Sequence, residues 1–597
     1  MRLPASPPVF CLRRNATLLA TRMLAFTAAA FGLVVMVVTL WIVVRTYSPV
    51  LFWDQWELIN TLIKSHGHLS IHDLWAQHNE HRPLTGRLFG FADLYFFHGR
   101  NVSLYVEIIV FQLCHLFLFL AIIRPFGSLP ATVYVTLAGF LTYCLFSPIQ
   151  MENFVWAFQT VFVLTSLAAT CCCAAAFSHA LRTRHGNHEG EIVLLLAALA
   201  SAFIAEASDA DGLVTWPVLL FLAFALRFSI RDRSIIFVTA CLAIAAYMIG
   251  YKSPDSEQTV TAALSQPAKV FHFAVTYFAH SWDAHLPNPS VFPSVSESLS
   301  GLAIVGTIVC SAWSLWRPLA FRPLQIALLG NLLFGVGTAA LTALGRLQYG
   351  GVQGAMSIRY QTPALVFWAS LASFIAVSIN WTPPVRLLIA QAAVLILMLA
   401  GGTRWLEMAQ FAERRQSDQE MGWNAVVENR FDDPVAARIF YSPEILKPFV
   451  SYLRQHHWGP SGEITSFARV QGTSGSPQIQ GYRLDAQSCL GHWDGAMRSG
   501  LASVSVGGWA LSQLPREAPR RVGFVSASGK IIGYADLKTV RQDVTAQYPN
   551  AQNVKTGWQA NLTIPGDGIY RAFLLFDGTH AACPLANELR IRHYPVF

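Results

Sequence analysis

For its first four hundred residues the chain alternates long apolar runs with short polar interruptions, and then changes to short, strand-like segments. A helix rises 1.5 Å per residue, so about twenty apolar residues match the roughly 30 Å hydrocarbon core of a bilayer. The pattern predicts eleven spans: Met23–Val44, Ser103–Ile123, Ala131–Phe146, Phe154–Leu181, Ile192–Ala205, Leu213–Phe228, Ile235–Tyr251, Leu299–Trp316, Leu324–Leu344, Gln361–Ile379 and Leu387–Ala400. Val270–Trp282 is apolar but short for a span and reads as interfacial or re-entrant. The first run is longer than the roughly 7–15 apolar residues of a secretory signal. It ends on Arg45 and reads as an uncleaved first helix.

Hydropathy falls after about Thr403. From about Gly481 the segments "ASVSVGGWAL", "RRVGFV", "KIIGYAD", "IYRAFLLF" and "ELRIRHYPV" have the length and spacing of strands in a β-sandwich. Three parts follow: a membrane domain over 1–402 with a long first loop at 47–102, a juxtamembrane linker over 403–480, and a β-sandwich module over 481–597.

Composition supports the membrane assignment. Only 13% of the 597 residues are charged, about half the share usual in soluble domains, and mean hydropathy is +0.41. The formal charge of +8 does not indicate nucleic acid, because the basic residues lie in short loops between apolar runs. With the N-terminus in the cytoplasm, Arg2, Arg13, Arg14, Arg22, Arg124, Arg182, Arg184, Arg227, Arg231, Arg233, Arg317, Arg322 and Arg386 all fall inside. The outer turns around Pro148–Asn153 and Glu206–Asp211 hold no Lys or Arg, the asymmetry of the positive-inside rule. Eleven spans then place the C-terminal module outside. Cys489 and Cys583 are its only cysteines, and on an oxidising face they are expected to form a disulfide.

In this topology the ionisable clusters share the outer face. They are "FWDQWELI", "QHNEHRPLTGR", "SPIQMENFVWAFQ", "AEASDADGLVTWP" and "ALGRLQYGGVQGAMSIRYQTP". Asp54 reads as a general base or as a helix cap, with Glu57 the second candidate base. His78 and His81 would share a helix face at i,i+3 and so offer metal ligands, yet the spacing is not that of a zinc-protease motif. The preferred reading has His78, Glu80 and His81 binding hydroxyls and Arg82 meeting phosphate; the structural alternative is a loop that satisfies its own buried polar groups before Pro83. Glu152 and Asn153 begin an outer helix and are candidate substrate-binding residues, although the helix dipole alone favours a carboxylate there. Asp209 and Asp211 could cap the next span or bind an acceptor or metal. Arg346 and Arg359, the latter beside Tyr360, are cations at the membrane edge suited to a lipid phosphate, or snorkelling side chains with no ligand. Trp493, Trp509 and Trp558 are core residues of the β module or a sugar-stacking platform. The chain has no Walker A loop, dinucleotide fingerprint or nucleophile elbow.

An acidic residue in a long first outer loop, many spans and a C-terminal soluble module resemble the GT-C class of membrane glycosyltransferases. W-D-Q-W, H-N-E-H-R, E-N-x-x-W-x-F-Q, D-G-L-x-x-W-P and G-R…R-Y resemble, more narrowly, a bacterial group of membrane glycosyltransferases, over residues 20–400. The resemblance implies an inverting transfer of sugar from a polyprenyl-phosphate donor in the bacterial inner membrane. The acceptor would be an envelope glycan such as lipopolysaccharide, a lipid or a protein. No cofactor is required by these residues, although a divalent metal stays open. The alternatives are a transporter or flippase for a lipid-linked glycan and a non-catalytic envelope assembly protein.

Overall fold

A computed structural model describes residues 9–124, 129–184, 190–252, 257–282, 292–382 and 384–427, parts of 429–485, and the strands within 489–591 without several of their connecting turns. Two compact units emerge: Met1–Ala412 with Ile439–Gly462, and Glu413–Arg438 with Glu463–Phe597.

The first unit is helical. It begins with α1 (Val9–Arg45), followed by a loop region holding α2 (Trp56–Lys64), α3 (Ile71–Leu74) and α4 (Leu84–Phe96). Next come α5 (Val102–Ile123), α6 (Ala131–Phe146), α7 (Met151–Val155), α8 (Thr160–Arg184), α9 (Glu191–Glu206), α10 (Thr215–Ala225) and α11 (Ile230–Met248). The chain continues through α12 (Glu257–Leu264), α13 (Pro267–Ala279), α14 (Phe292–Trp316), α15 (Pro323–Gly350), α16 (Gln361–Ser378), α17 (Pro384–Gly402), α18 (Trp405–Val427), which from Glu413 onward belongs to the second unit, and α19 (Leu446–His456).

Among the described residues, eight helical stretches are long and apolar enough to cross a membrane: Thr17–Arg45, Val102–Ile123, Ala131–Val155, Ala157–Arg184, Val295–Trp316, Pro323–Gly350, Ile358–Ser378 and Pro384–Trp423. The protein has the character of a polytopic helical membrane protein. Three of the eleven expected spans fall short of this standard for identifiable reasons. The α9 helix has 16 residues and α10 has 11, about 24 and 17 Å of rise against a 30 Å core. The α11 helix has 19 residues but opens with Arg231, Asp232 and Arg233.

Polar contacts nonetheless locate the ends of these short helices. At the start of α8, the Phe158 ring packs edge-on against His78, with centroids 6.3 Å apart. Farther along α8, His179 lies 3.1 Å from the carbonyl of Glu191 at the start of α9 and 3.4 Å from Asp232 at the start of α11. The far end of α9 returns to the first loop, where the Thr85 N–H donates to the Ala207 carbonyl at 3.0 Å. The far end of α11 does the same through Tyr247 and Ile249. Thus α8, α9 and α11 all connect the same two polar levels, which are about 28 Å apart along α8.

The α1 and α6 helices cross where Gly32 meets Gly139. A Cβ on either residue would fall within 2.5 Å of backbone atoms of the other helix, the small-residue contact through which membrane helices approach closely. Val270–Trp282 forms α13 and a short turn, buried over Phe273–Trp282.

The second unit contains β1 (Arg483–Leu484), β2 (Cys489–Arg498), β3 (Ser503–Ser512), β4 (Arg521–Ser526), β5 (Ile531–Thr539), β6 (Gly557–Thr563), β7 (Gly568–Phe576) and β8 (Ala581–Ile591). Well-paired antiparallel ladders join β2, β3 and β6, and join β5, β4, β7 and β8. The two groups touch through short β5–β6 and β2–β8 pairings, which close the ladder on itself. The strand order therefore comes round to β8, giving a β-rich, barrel-like region where a sandwich was expected. Trp493, Phe524 and Trp558 pack together within the core. Trp509 is buried against Tyr548. All three tryptophans are buried, not displayed as a platform. Cys489 and Cys583 are joined by a disulfide. The stretch 461–478 of the expected linker lies outside the described residues.

Candidate functional site

The first loop builds its polar centre from a tight turn. His78 and His81 are opposite each other across Asn79 and Glu80, and exchange two backbone hydrogen bonds of 2.8 and 2.9 Å. Asn79 sits at φ +50°, a left-handed conformation that Asn tolerates better than most residues. This corrects the helical expectation: the two imidazoles flank a turn and do not stack on one helix face.

Asp54 lies in a short helical turn, Trp53–Gln55, ahead of α2. Gln55, not Asp54, is the N-cap of α2. The Asp54 carboxylate is instead 3.6 Å from His78 Nε2 and about one-third exposed. Trp53 beside it has φ +49°, strained for a bulky residue. Its N–H donates to the Ile439 carbonyl at 2.9 Å, and its ring packs near Tyr441. Glu57, in the first turn of α2, accepts from Asn60 at 2.9 Å.

On the other flank of the turn, His81 Nδ1 meets Asp209 Oδ1 at 2.6 Å, and its Nε2 is 3.6 Å from Glu80. Glu80 in turn pairs with Arg346 from α15. Burial alone would lower the His81 pKa, but the charge of Asp209 and its hydrogen bond, with further help from Glu80 and Asp211, push it up to about 9. Burial opposes the charge of Asp209, yet His81 and the backbone N–H groups of Ala210 and Asp211 hold its pKa below the usual carboxylate range. Asp211 goes the other way. Burial first, and then the adjacent Asp209 charge, push it well above that range. Two carboxylates two residues apart are thus drawn toward opposite protonation states, as at sites that handle protons.

Sequence reasoning placed Asp211 as a cap or ligand beside Asp209 without distinguishing its role. The available signal was the pair of acids around a single alanine ahead of Gly212. Tyr360 stacks on Tyr277 at 5.5 Å. Arg359 lies over the Tyr360 ring at 5.4 Å, with its Nε buried and lacking a hydrogen-bond partner.

Other expected site residues are engaged elsewhere. Arg82 is buried, and its guanidinium donates to the carbonyls of Tyr247, Trp75 and Ile249 at 2.7, 2.8 and 2.6 Å. These contacts point to bracing of the loop against α11 and not to phosphate binding. Asn153 donates to the Arg359 carbonyl at 2.9 Å and to Thr362 Oγ1 at 2.7 Å, joining α7 to the start of α16. Glu152 sits half-buried in the first turn of α7. The structure therefore brings together Asp54, His78, Glu80, His81, Asp209 and Arg346, adds Asp211, and sets Arg359 and Tyr360 beside them.

Fold and cluster together define a polytopic helical membrane protein with an ionic site at one end of its helices. No protein-family model matches the chain, and no curated protein matches it significantly.

Proposed function

We propose that this chain is a GT-C-type membrane glycosyltransferase of the bacterial inner membrane. It moves a sugar from a polyprenyl-phosphate donor to an envelope glycan, lipid or protein on the periplasmic face, with inversion. The observation that carries this reading is the convergence of acids, imidazoles and arginines from the first loop, the α9–α10 turn and the end of α15 at one end of apolar helices. Ionisable groups at membrane depth are costly, and they are usually retained for function.

In this reading Asp54, beside His78, removes the proton of the acceptor hydroxyl. The hydroxyl oxygen forms its bond to the anomeric carbon from the face opposite the departing polyprenyl phosphate. The bond between that carbon and the phosphate oxygen breaks, and the leaving group takes the electron pair. Arg359 and the donors of Arg346 not held by Glu80 stabilise the charge developing on the phosphate. His78, Glu80 and His81 orient hydroxyls, which supplies the positioning part of the rate enhancement. No step requires a metal. The C-terminal module then lies in the periplasm.

The test is envelope glycan analysis of a deletion strain complemented with wild type or Asp54→Asn at equal protein level. Loss of one sugar in the deletion strain, restored by wild type and not by the variant, is expected, with a rate deficit of about 10²–10⁴-fold in isolated membranes. Full restoration by Asp54→Asn would remove Asp54 as the base. If the deletion strain instead retains every glycosidic bond and accumulates an intact lipid-linked glycan on the inner leaflet, the protein is a flippase.

A further inference from the structure

A second polar cluster lies at the opposite end of α8 from the ionic site. His179 of α8, Glu191 of α9 and Asp232 of α11 each present one ligand atom, and the three atoms lie within 4.8 Å of one another. His179 is 1% exposed and Asp232 8%, so the pair is withdrawn from water.

Hydrogen bonding limits what this pair can be. His179 Nδ1 is 3.1 Å from the backbone carbonyl of Glu191. A carbonyl only accepts, so this nitrogen carries a proton. In neutral imidazole the lone pair is then on Nε2, and Nε2 faces Asp232 Oδ2 at 3.4 Å. A lone pair facing a carboxylate oxygen repels it unless a cation or a second proton lies between them. A proton there would make a charge-assisted bond, which normally closes to about 2.7–2.9 Å. Two ligands of a tetrahedral ion with bonds near 2.1 Å sit about 3.4 Å apart.

The surrounding contacts also resemble those of a metal centre. Metal-bound histidines usually donate their other N–H to a carbonyl or carboxylate, and ligating carboxylates are themselves hydrogen-bonded. Here the Ser229 hydroxyl donates to the same Asp232 Oδ2 at 2.7 Å, and the Phe228 ring closes over the His179 imidazole at 4.5 Å.

We propose that His179, Glu191 and Asp232 bind one divalent first-row transition-metal ion, which fastens α8, α9 and α11 at the end remote from the ionic site. One imidazole and two carboxylates suit zinc, manganese or iron(II) better than calcium or magnesium, whose ligands are all oxygen. The role is structural and independent of the proposed glycosyl transfer.

The experiment uses the full-length protein in detergent, purified without chelator and without a polyhistidine tag. Metal analysis is expected to find one ion per chain. Zinc or manganese added to the EDTA-treated protein should raise its unfolding temperature. Glu191→Gln keeps size and lies at a half-exposed helix end, so it should fold and bind the ion more than tenfold more weakly. His179→Gln should abolish binding. Absence of metal together with no thermal shift from either ion would overturn the proposal and leave a directly hydrogen-bonded His179–Asp232 pair. In that case His179→Gln would lower the unfolding temperature by the same amount with and without EDTA.

Discussion

At the residue scale, the site rests on two kinds of buried charge that should respond differently to change. His81 gains its proton affinity from Asp209. A folded-state pKa near 9 against an ordinary value of 6.5 is worth roughly 3–4 kcal/mol, at about 1.4 kcal/mol per unit. Because the pKa is raised, this contribution is fully present below about pH 6.5, declines as pH rises, and is gone above about 9. Asp209 is depressed, so its share is present above the ordinary carboxylate pKa and is lost as pH falls through its lower folded value. Unfolding of wild type and His81→Gln, followed across pH 5–10, should show the largest gap near pH 6 and convergence above pH 9. A gap independent of pH would show that the pair does not titrate as described. Arg82 differs because its donors meet backbone carbonyls that have no other charge to rely on. Lysine keeps the charge but cannot reproduce a planar fork of donors. Arg82→Lys should therefore cost about 2–4 kcal/mol by leaving carbonyls unsatisfied, and should speed proteolysis of the first loop. Among molecules that remain folded, the donor KM should be unchanged, whereas a phosphate-binding role would raise it.

At the scale of elements, the α9–α10 turn holds Asp209 and Asp211 in place through a close backbone approach. A Cβ on Gly212 would fall 2.0 Å from the Ala205 carbonyl carbon and oxygen and 2.4 Å from the Glu206 nitrogen. Neither is a flexible side chain, so Gly212→Ala must displace the turn itself. It should lower the unfolding temperature by several degrees and reduce activity more than stability, measured as the specific activity of the folded fraction. The elements themselves were largely readable from sequence. Long apolar runs such as Ser103–Ile123 and Leu324–Leu344 have no alternative in water, and they appear as α5 and α15. The α9–α11 region was harder, because hydropathy averages over the polar anchors Glu191, Asp232 and Glu206 that end or begin these helices. Alternation located the strands, but period two gives a strand's faces and not its partners, so the closing β5–β6 and β2–β8 pairings were hidden. Within the site, the shared face of the clusters was legible from loop charge. Individual partners were not: Asn79 turns the chain where i,i+3 spacing suggested a helix, and Arg82 answers carbonyls that no sequence pattern marks. The His179–Glu191–Asp232 cluster has no linear motif, since its members are far apart in the chain and meet only through helix packing.

For the whole molecule, the question is how often the chain crosses the bilayer. Among the described residues eight helical stretches qualify by length and composition, which would leave helices α9 to α13 on one side. The contacts argue for more crossings. Glu191 and Asp232 meet at His179, while Ala207, Tyr247 and Ile249 all meet the first loop at the other end of α8. If the apolar bundle spans the bilayer, a chain that visits both levels repeatedly would pass through the slab between them. Short helices can do so if the bilayer thins or the ends are reached by polar side chains, at a modest cost per ångström of mismatch. Ile230 and Ile249 are both exposed, at 78% and 74%, and lie at the two ends of α11. Each can be replaced by cysteine in a background where the exposed thiols Cys114 and Cys241 are serine. A membrane-impermeant maleimide applied to intact spheroplasts should label position 249, on the level of the ionic site, and spare position 230 until the membrane is broken. Labelling of both positions would place α9–α11 entirely outside the bilayer. Labelling of position 230 alone would invert the orientation read from the arginines, and with it the side of the membrane on which sugar transfer is proposed to occur.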